Sequence, residues 1–129
     1  MILSDMGGTM GKGMMGSRRM MNVSASASVV GVGDLSFRVL NAGMMVHELV
    51  VVPLPASGAG TRSIGSDGRV REAGSLGEAS RSCGEGAGDG ISPGAASWVN
   101  LHLAAGRYEL ICNLPGHYGM GMFTELDVR

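Results

Sequence analysis

Polar and apolar residues alternate in short runs along much of this chain, and no stretch of ten or more residues repeats its apolar positions with helical spacing. The segment DLSFRVLN (34–41) sets Leu35, Phe37 and Val39 on one face and Ser36, Arg38 and Leu40 on the other, which predicts a strand buried on one side. NVSASASVV (22–30) precedes it across a Gly31–Asp34 turn signal. VHELVVVPL (46–54) is rich in β-branched residues and reads as a strand that stops at Pro53 and Pro55. SWVNLHLAAG (97–106), RYELIC (107–112) and MFTELDV (122–128) supply three further alternating strands. Short strands separated by Gly-rich turns predict an all-β sandwich or barrel.

Two segments break the pattern. Residues 6–21, MGGTMGKGMMGSRRMM, hold too many glycines for a helix and no alternation for a strand, so they read as an irregular crossing. Residues 57–97 carry eleven glycines and eight serines, a long loop that is either functional or partly disordered, or that holds a short helix at SLGEASRS (75–82). At 129 residues the chain suits one domain around one core.

Charge and composition then remove several function classes. A formal net charge of -1 without blocks of like charge excludes the basic footprint of a nucleic-acid binder. No long apolar run marks a membrane span or signal segment, and the opening MILSDMGG reads like the middle of a strand, as in a mature or shortened chain. No Ser/His/Asp set or phosphate-binding Gly loop appears, so nothing marks an enzyme. The two cysteines sit in unlike settings, Cys83 in a Gly/Ser stretch and Cys112 at the end of an apolar run, which argues against pairing them in a disulfide.

Candidate chemistry concentrates near the end, in YELICNLPGHYGMGMF (108–123). Pro115 and Gly116 turn the chain between two strands, bringing Cys112, His117 and Met122 to one end of the sheet. Thiolate, imidazole and thioether are soft donors suited to copper, and structural zinc rarely accepts a thioether. One more imidazole would complete a His2Cys plane with a weak axial methionine. His47 and His102 are the two available, His102 reading as a partly exposed strand residue.

The spacing C-x4-H-x4-M, with an upstream histidine in NAGMMVHELVV, resembles the single-domain cupredoxins, the small blue copper proteins, and especially their plastocyanin-like and sulfocyanin-like bacterial members with CNLPGHY loops. The resemblance covers residues 22–128. It implies a Greek-key β-sandwich with one type 1 copper per chain near one pole. The ligands it implies are His47 and His117 for nitrogen, Cys112 for the thiolate and Met122 for the axial sulfur, with Met120 facing outward. Familiar members carry Asn after the first histidine where this chain has Glu48, so the side-chain tie between the two ligand loops is open, and Asn113 is a candidate to supply part of it.

The resemblance further implies one-electron transfer to a transient redox protein partner, by a monomer working outside the cytoplasm, with no nucleic acid or small-molecule substrate. Met44, Met45, Pro115, Gly116, Tyr118 and Met120 are the expected apolar docking patch. Neither a second cysteine in the ligand loop nor paired H-x-H motifs are present, which excludes binuclear and multicopper oxidase centres. The alternative is copper delivery, with the thioethers of residues 6–21 capturing copper(I).

Overall fold

The computed structural model describes residues 1–5, 21–79 and 90–129. Among these residues nine strands form two sheets. One sheet contains β1 (Ile2–Asp5), β2 (Met21–Ser24), β4 (Gly33–Asn41) and β7 (Ala96–Leu103) in the order β2-β1-β4-β7. The other contains β3 (Val29–Val30), β5 (Leu49–Pro53), β6 (Gly77–Ala79), β8 (Gly106–Ile111) and β9 (Phe123–Val128) in the order β3-β9-β8-β5-β6. The pairs β1·β4 and β3·β9 run parallel and the others antiparallel. This is the expected all-β sandwich.

Alternation fixes which side chains enter the core. Phe37 and Val39 of β4 point inward, as their parity requires, and pack with Leu3, Val23, Leu49, Val51, Leu110 and Leu126 from both sheets. Each such side chain removed from water contributes about 1.5–3 kcal/mol. The run Leu49–Val52 is buried on both faces, because Val50 and Val52 pack outward against Val70, Ile111 and Tyr118. A continuous apolar strand needs two covers, and the loop after β5 supplies the second one.

Of the alternatives open for that loop, the short helix is not seen in the described part of 75–82, residues 75–79. Gly77–Ala79 pairs with β5 as an edge strand, Leu49 opposite Ala79. Leu49 and Val51 gain ladder partners on their second side, which a lone two-turn helix rich in Ser and Gly could not match. The long segment 22–30 is split into β2 and β3 at the serines between them. Met21 opens β2 as a buried core residue. The other methionines of the 6–21 cluster, and Cys83, lie outside the described residues.

Candidate metal centre

Ladder register places the terminal donors. Strands β8 and β9 pair Ile111 with Phe123, and the next step sets Cys112 opposite Met122, whose carbonyl accepts the Cys112 N–H at 3.1 Å. Directly opposed residues project from the same face, so the thiol and thioether enter the site together. Between them the chain folds back on itself. The His117 N–H donates to the Leu114 carbonyl, the Met122 N–H donates to the His117 carbonyl, and a single 3-10 turn spans Tyr118–Met120. Gly116 and Gly121 take positive φ angles of 83° and 106°, which a side chain would strain.

His47 arrives from the segment before β5, two residues ahead of it, held by an isolated bridge to Ile91. Its Nδ1 lies 3.2 Å from Nδ1 of His117 and 3.9 Å from Sγ of Cys112, and the third side, Cys112 Sγ to His117 Nδ1, is 3.4 Å. The centre of such a triangle is about 2 Å from each corner, close to metal–imidazole and metal–thiolate bond lengths. Cys112, His47 and Met122 are fully buried, and His117 is 7% exposed, its edge reaching the surface. Burial pushes the metal-free Cys112 thiol up to about 12, against the opposing N–H groups of Leu114 and Glu48. Burial, with help from His47, lowers His117 and keeps its imidazole neutral. A neutral imidazole and a sulfur that gives up its proton on metallation are donors a soft transition metal takes.

Asp5 orients the His47 ring. Its Oδ2 lies 2.9 Å from His47 Nε2 and also accepts the N–H groups of Met44 and Met45 at 2.8 and 3.0 Å. Burial would raise this carboxyl, but the His47 bond and the two backbone bonds outweigh it and hold Asp5 below its ordinary value. An ionised carboxylate only accepts, so Nε2 carries the hydrogen and Nδ1 presents its lone pair to the triangle. Asn41 ties the same loop: its Nδ2 donates to the carbonyls of Met45 and Ile91, and its Oδ1 accepts from the Gly43 N–H.

Asp5 and Asn41 belong to no motif, yet parity carries the signal. Leu3 and Asp5, like Val39 and Asn41, fall on inward positions of their strands, where a polar residue needs a reason.

Glu48 stands where expected, its backbone N–H donating to Cys112 Sγ at 3.3 Å. Asn113 does not tie the two ligand loops. Its side chain accepts from the Val70 N–H and donates to the Val70 carbonyl and to Glu72 Oε2, fastening the Cys112 loop to the loop after β5. Tyr118 is not a docking residue. It is 2% exposed, and its hydroxyl donates to Glu109 Oε2 at 2.8 Å. The ring turns inward because Val50, Val52 and Ile111 offer it apolar cover while buried Glu109 satisfies the hydroxyl. Met44 at 87% and Met120 at 38% exposure do face outward, as do Met45, Pro115 and Gly116. His102 is exposed on β7, beside Asp34 at 2.8 Å and apart from the metal centre.

The Sulfocyanin (SoxE) domain family matches residues 18–129. The chain belongs to the sulfocyanin family of cupredoxins. Its fold is similar to that of dithionite-reduced auracyanin from Roseiflexus castenholzii, at 14% identity and a TM-score of 0.53 over 81% of this chain and 99% of that one. Auracyanin A from Chloroflexus aurantiacus, a blue copper protein, aligns at 18% identity and a TM-score of 0.54, over 81% and 87%. Rusticyanin from Thiobacillus ferrooxidans aligns at 17% identity and a TM-score of 0.51, over 99% and 75%. No curated protein sequence matches the chain. The cofactor of this cupredoxin is copper, and the three-donor triangle with a buried methionine beside it fits a type 1 ion.

Proposed function

We propose that this cupredoxin carries single electrons between redox proteins outside the cytoplasm, with His47 Nδ1, His117 Nδ1 and Cys112 Sγ as equatorial ligands and Met122 as the axial one. The observation that carries this reading is the buried triangle of 3.2, 3.4 and 3.9 Å edges. When bound there, copper supplies a one-electron couple. The chain's own contribution is rigidity. Asp5 holds the His47 ring, the Glu48 N–H meets the thiolate, and the 117–122 turn fixes both His117 and Met122. Donors that keep their places in both oxidation states keep the reorganisation on electron transfer small. All four side chains are buried, which leaves no open position for a substrate and favours a carrier over an enzyme.

His117 is the ligand whose edge reaches solvent, between Pro115–Gly116 on one side and Met120 on the other, with Met44 and Met45 exposed on the second ligand loop. This apolar rim suits a brief encounter with a partner protein. The copper-delivery alternative rests on the methionines of residues 6–21, of which Met21 is a buried core residue and the others lie outside the described residues.

The test is reconstitution with copper(II). An intense blue thiolate-to-copper band, bleached by reductant, restored by oxidant and missing from Cys112→Ser, is the expected result. A colourless, copper-loaded wild type would refute the assignment. Met44→Lys and Met120→Lys should keep the band and slow electron exchange with a redox partner.

A further inference from the structure

Glu48, Glu72 and Glu78 each offer a carboxylate oxygen within 4.8 Å of the other two. They come from three separate places: the residue after His47, the loop following β5, and the middle of β6. Glu48 and Glu78 are buried and Glu72 is half-buried. Three carboxylates this close repel one another strongly unless something positive stands among them.

Glu48 makes the need specific. Its side chain is wholly enclosed, neither of its oxygens accepts a well-formed hydrogen bond among the described residues, and the Asn113 N–H and the Arg69 charge only partly offset its burial. Buried polar atoms are nearly always satisfied, so a pair of orphaned carboxylate oxygens aimed at two further carboxylates marks a place for a missing ligand. Glu72 is held in position toward it, since Asn113 Nδ2 donates to Glu72 Oε2 at 2.8 Å.

The donor set selects the kind of ion. All three donors are hard oxygens with no nitrogen or sulfur, which disfavours copper and zinc. Oxygens bound at about 2.3–2.6 Å from a calcium ion lie at most about 5 Å apart, and three carboxylates can supply up to six oxygens to its flexible shell. Magnesium needs a tighter octahedron and usually retains several waters, which an enclosed Glu48 does not suit.

We propose that Glu48, Glu72 and Glu78 form a binding site for one calcium-like divalent cation, separate from the copper centre. The cation staples the loop after β5 and the edge strand β6 to the base of the His47 loop. Because the Glu48 N–H also donates to Cys112 Sγ, its positive charge lies close enough to favour reduced copper. That last consequence alone rests on the copper assignment.

Calcium chloride titrated calorimetrically into copper-treated, calcium-depleted protein tests the site. One calcium per chain is expected, with affinity falling roughly tenfold or more in Glu72→Gln and Glu78→Gln. Absence of calcium binding to the wild type would overturn the proposal, as would undiminished binding to both variants, which would place the ion on exposed carboxylates. If Glu78→Gln does not fold, the half-buried Glu72→Gln decides alone. The visible spectrum recorded before titration reports on the copper centre, so failure of that assignment is seen separately from failure to bind calcium.

Discussion

Asp5 accepts a 2.9 Å hydrogen bond from Nε2 of His47, across 42 positions of sequence. This bond sets the tautomer and aims Nδ1 at Cys112 and His117. Asp5→Ala leaves the His47 N–H and the backbone N–H groups of Met44 and Met45 without their acceptor. Copper affinity is expected to fall roughly 10–100-fold, measured by competition with a chelator. Asp5→Asn, whose amide oxygen can still accept, should retain more affinity than Asp5→Ala.

The loop after β5 supports the proposed copper ligands through Gly68. Its φ is +78°, and a Cβ there would stand 2.8 Å from the backbone nitrogen of Gly116, which donates to the Gly68 carbonyl at 2.9 Å. Gly68→Ala must therefore displace the residue before His117. Gly58, at φ +101° with nothing within 4 Å of its would-be Cβ, is the control for backbone strain alone. Gly58→Ala is expected to cost about 1–2 kcal/mol in urea unfolding. Gly68→Ala should cost more and, unlike the control, alter the copper absorption spectrum.

Tyr118 and Glu109 hold one another under the same loop. The Tyr118 hydroxyl donates to Glu109 Oε2 and accepts the Arg62 N–H at 3.2 Å, while Arg62 Nε and the Gly60 N–H also bond to Glu109. Burial pushes the Tyr118 phenol up to about 12, so it remains a donor throughout the ordinary pH range. Tyr118→Phe strips the acceptor from Arg62 and a donor from Glu109, costing about 1–3 kcal/mol of stability. The blue band should not change, because the ring continues to fill its place against Val50 and Val52.

Glu48 makes calcium-free protein more stable in acid. Burial first, then the charges of Glu78 and Glu72, raise its carboxyl from 4.5 to about 7. Between those values the folded chain binds more protons than the unfolded one, so stability falls as pH rises. The contribution is fully present below pH 4.5 and gone above about 7. At about 1.4 kcal/mol per pKa unit it amounts to about 3 kcal/mol. Urea midpoints measured across this window with chelator present should decline for the wild type and stay flatter for Glu48→Gln.

Short-range order in this chain was legible because it depends on parity and on turn residues. The inward set Leu35, Phe37 and Val39, the strand that stops at Pro53, and the C-x4-H-x4-M spacing all follow from neighbours a few positions apart. The same local motif implies copper and sets Met122 rather than Met120 inward; Met122 is buried and Met120 exposed.

What depended on distant partners was not legible. Tyr118 read as surface, but Glu109 and Val50 pack around it, and the long loop left a short helix open at 75–82, where the free edge of β5 instead pairs with Gly77–Ala79. Asp5, Asn41 and the Glu48–Glu72–Glu78 cluster acquire their roles through pairs separated by up to 50 positions. Local sequence determines which face of a strand a residue occupies. Only tertiary packing decides which buried polar groups meet, because hydrogen bonding and charge act over a few ångströms whatever the separation along the chain.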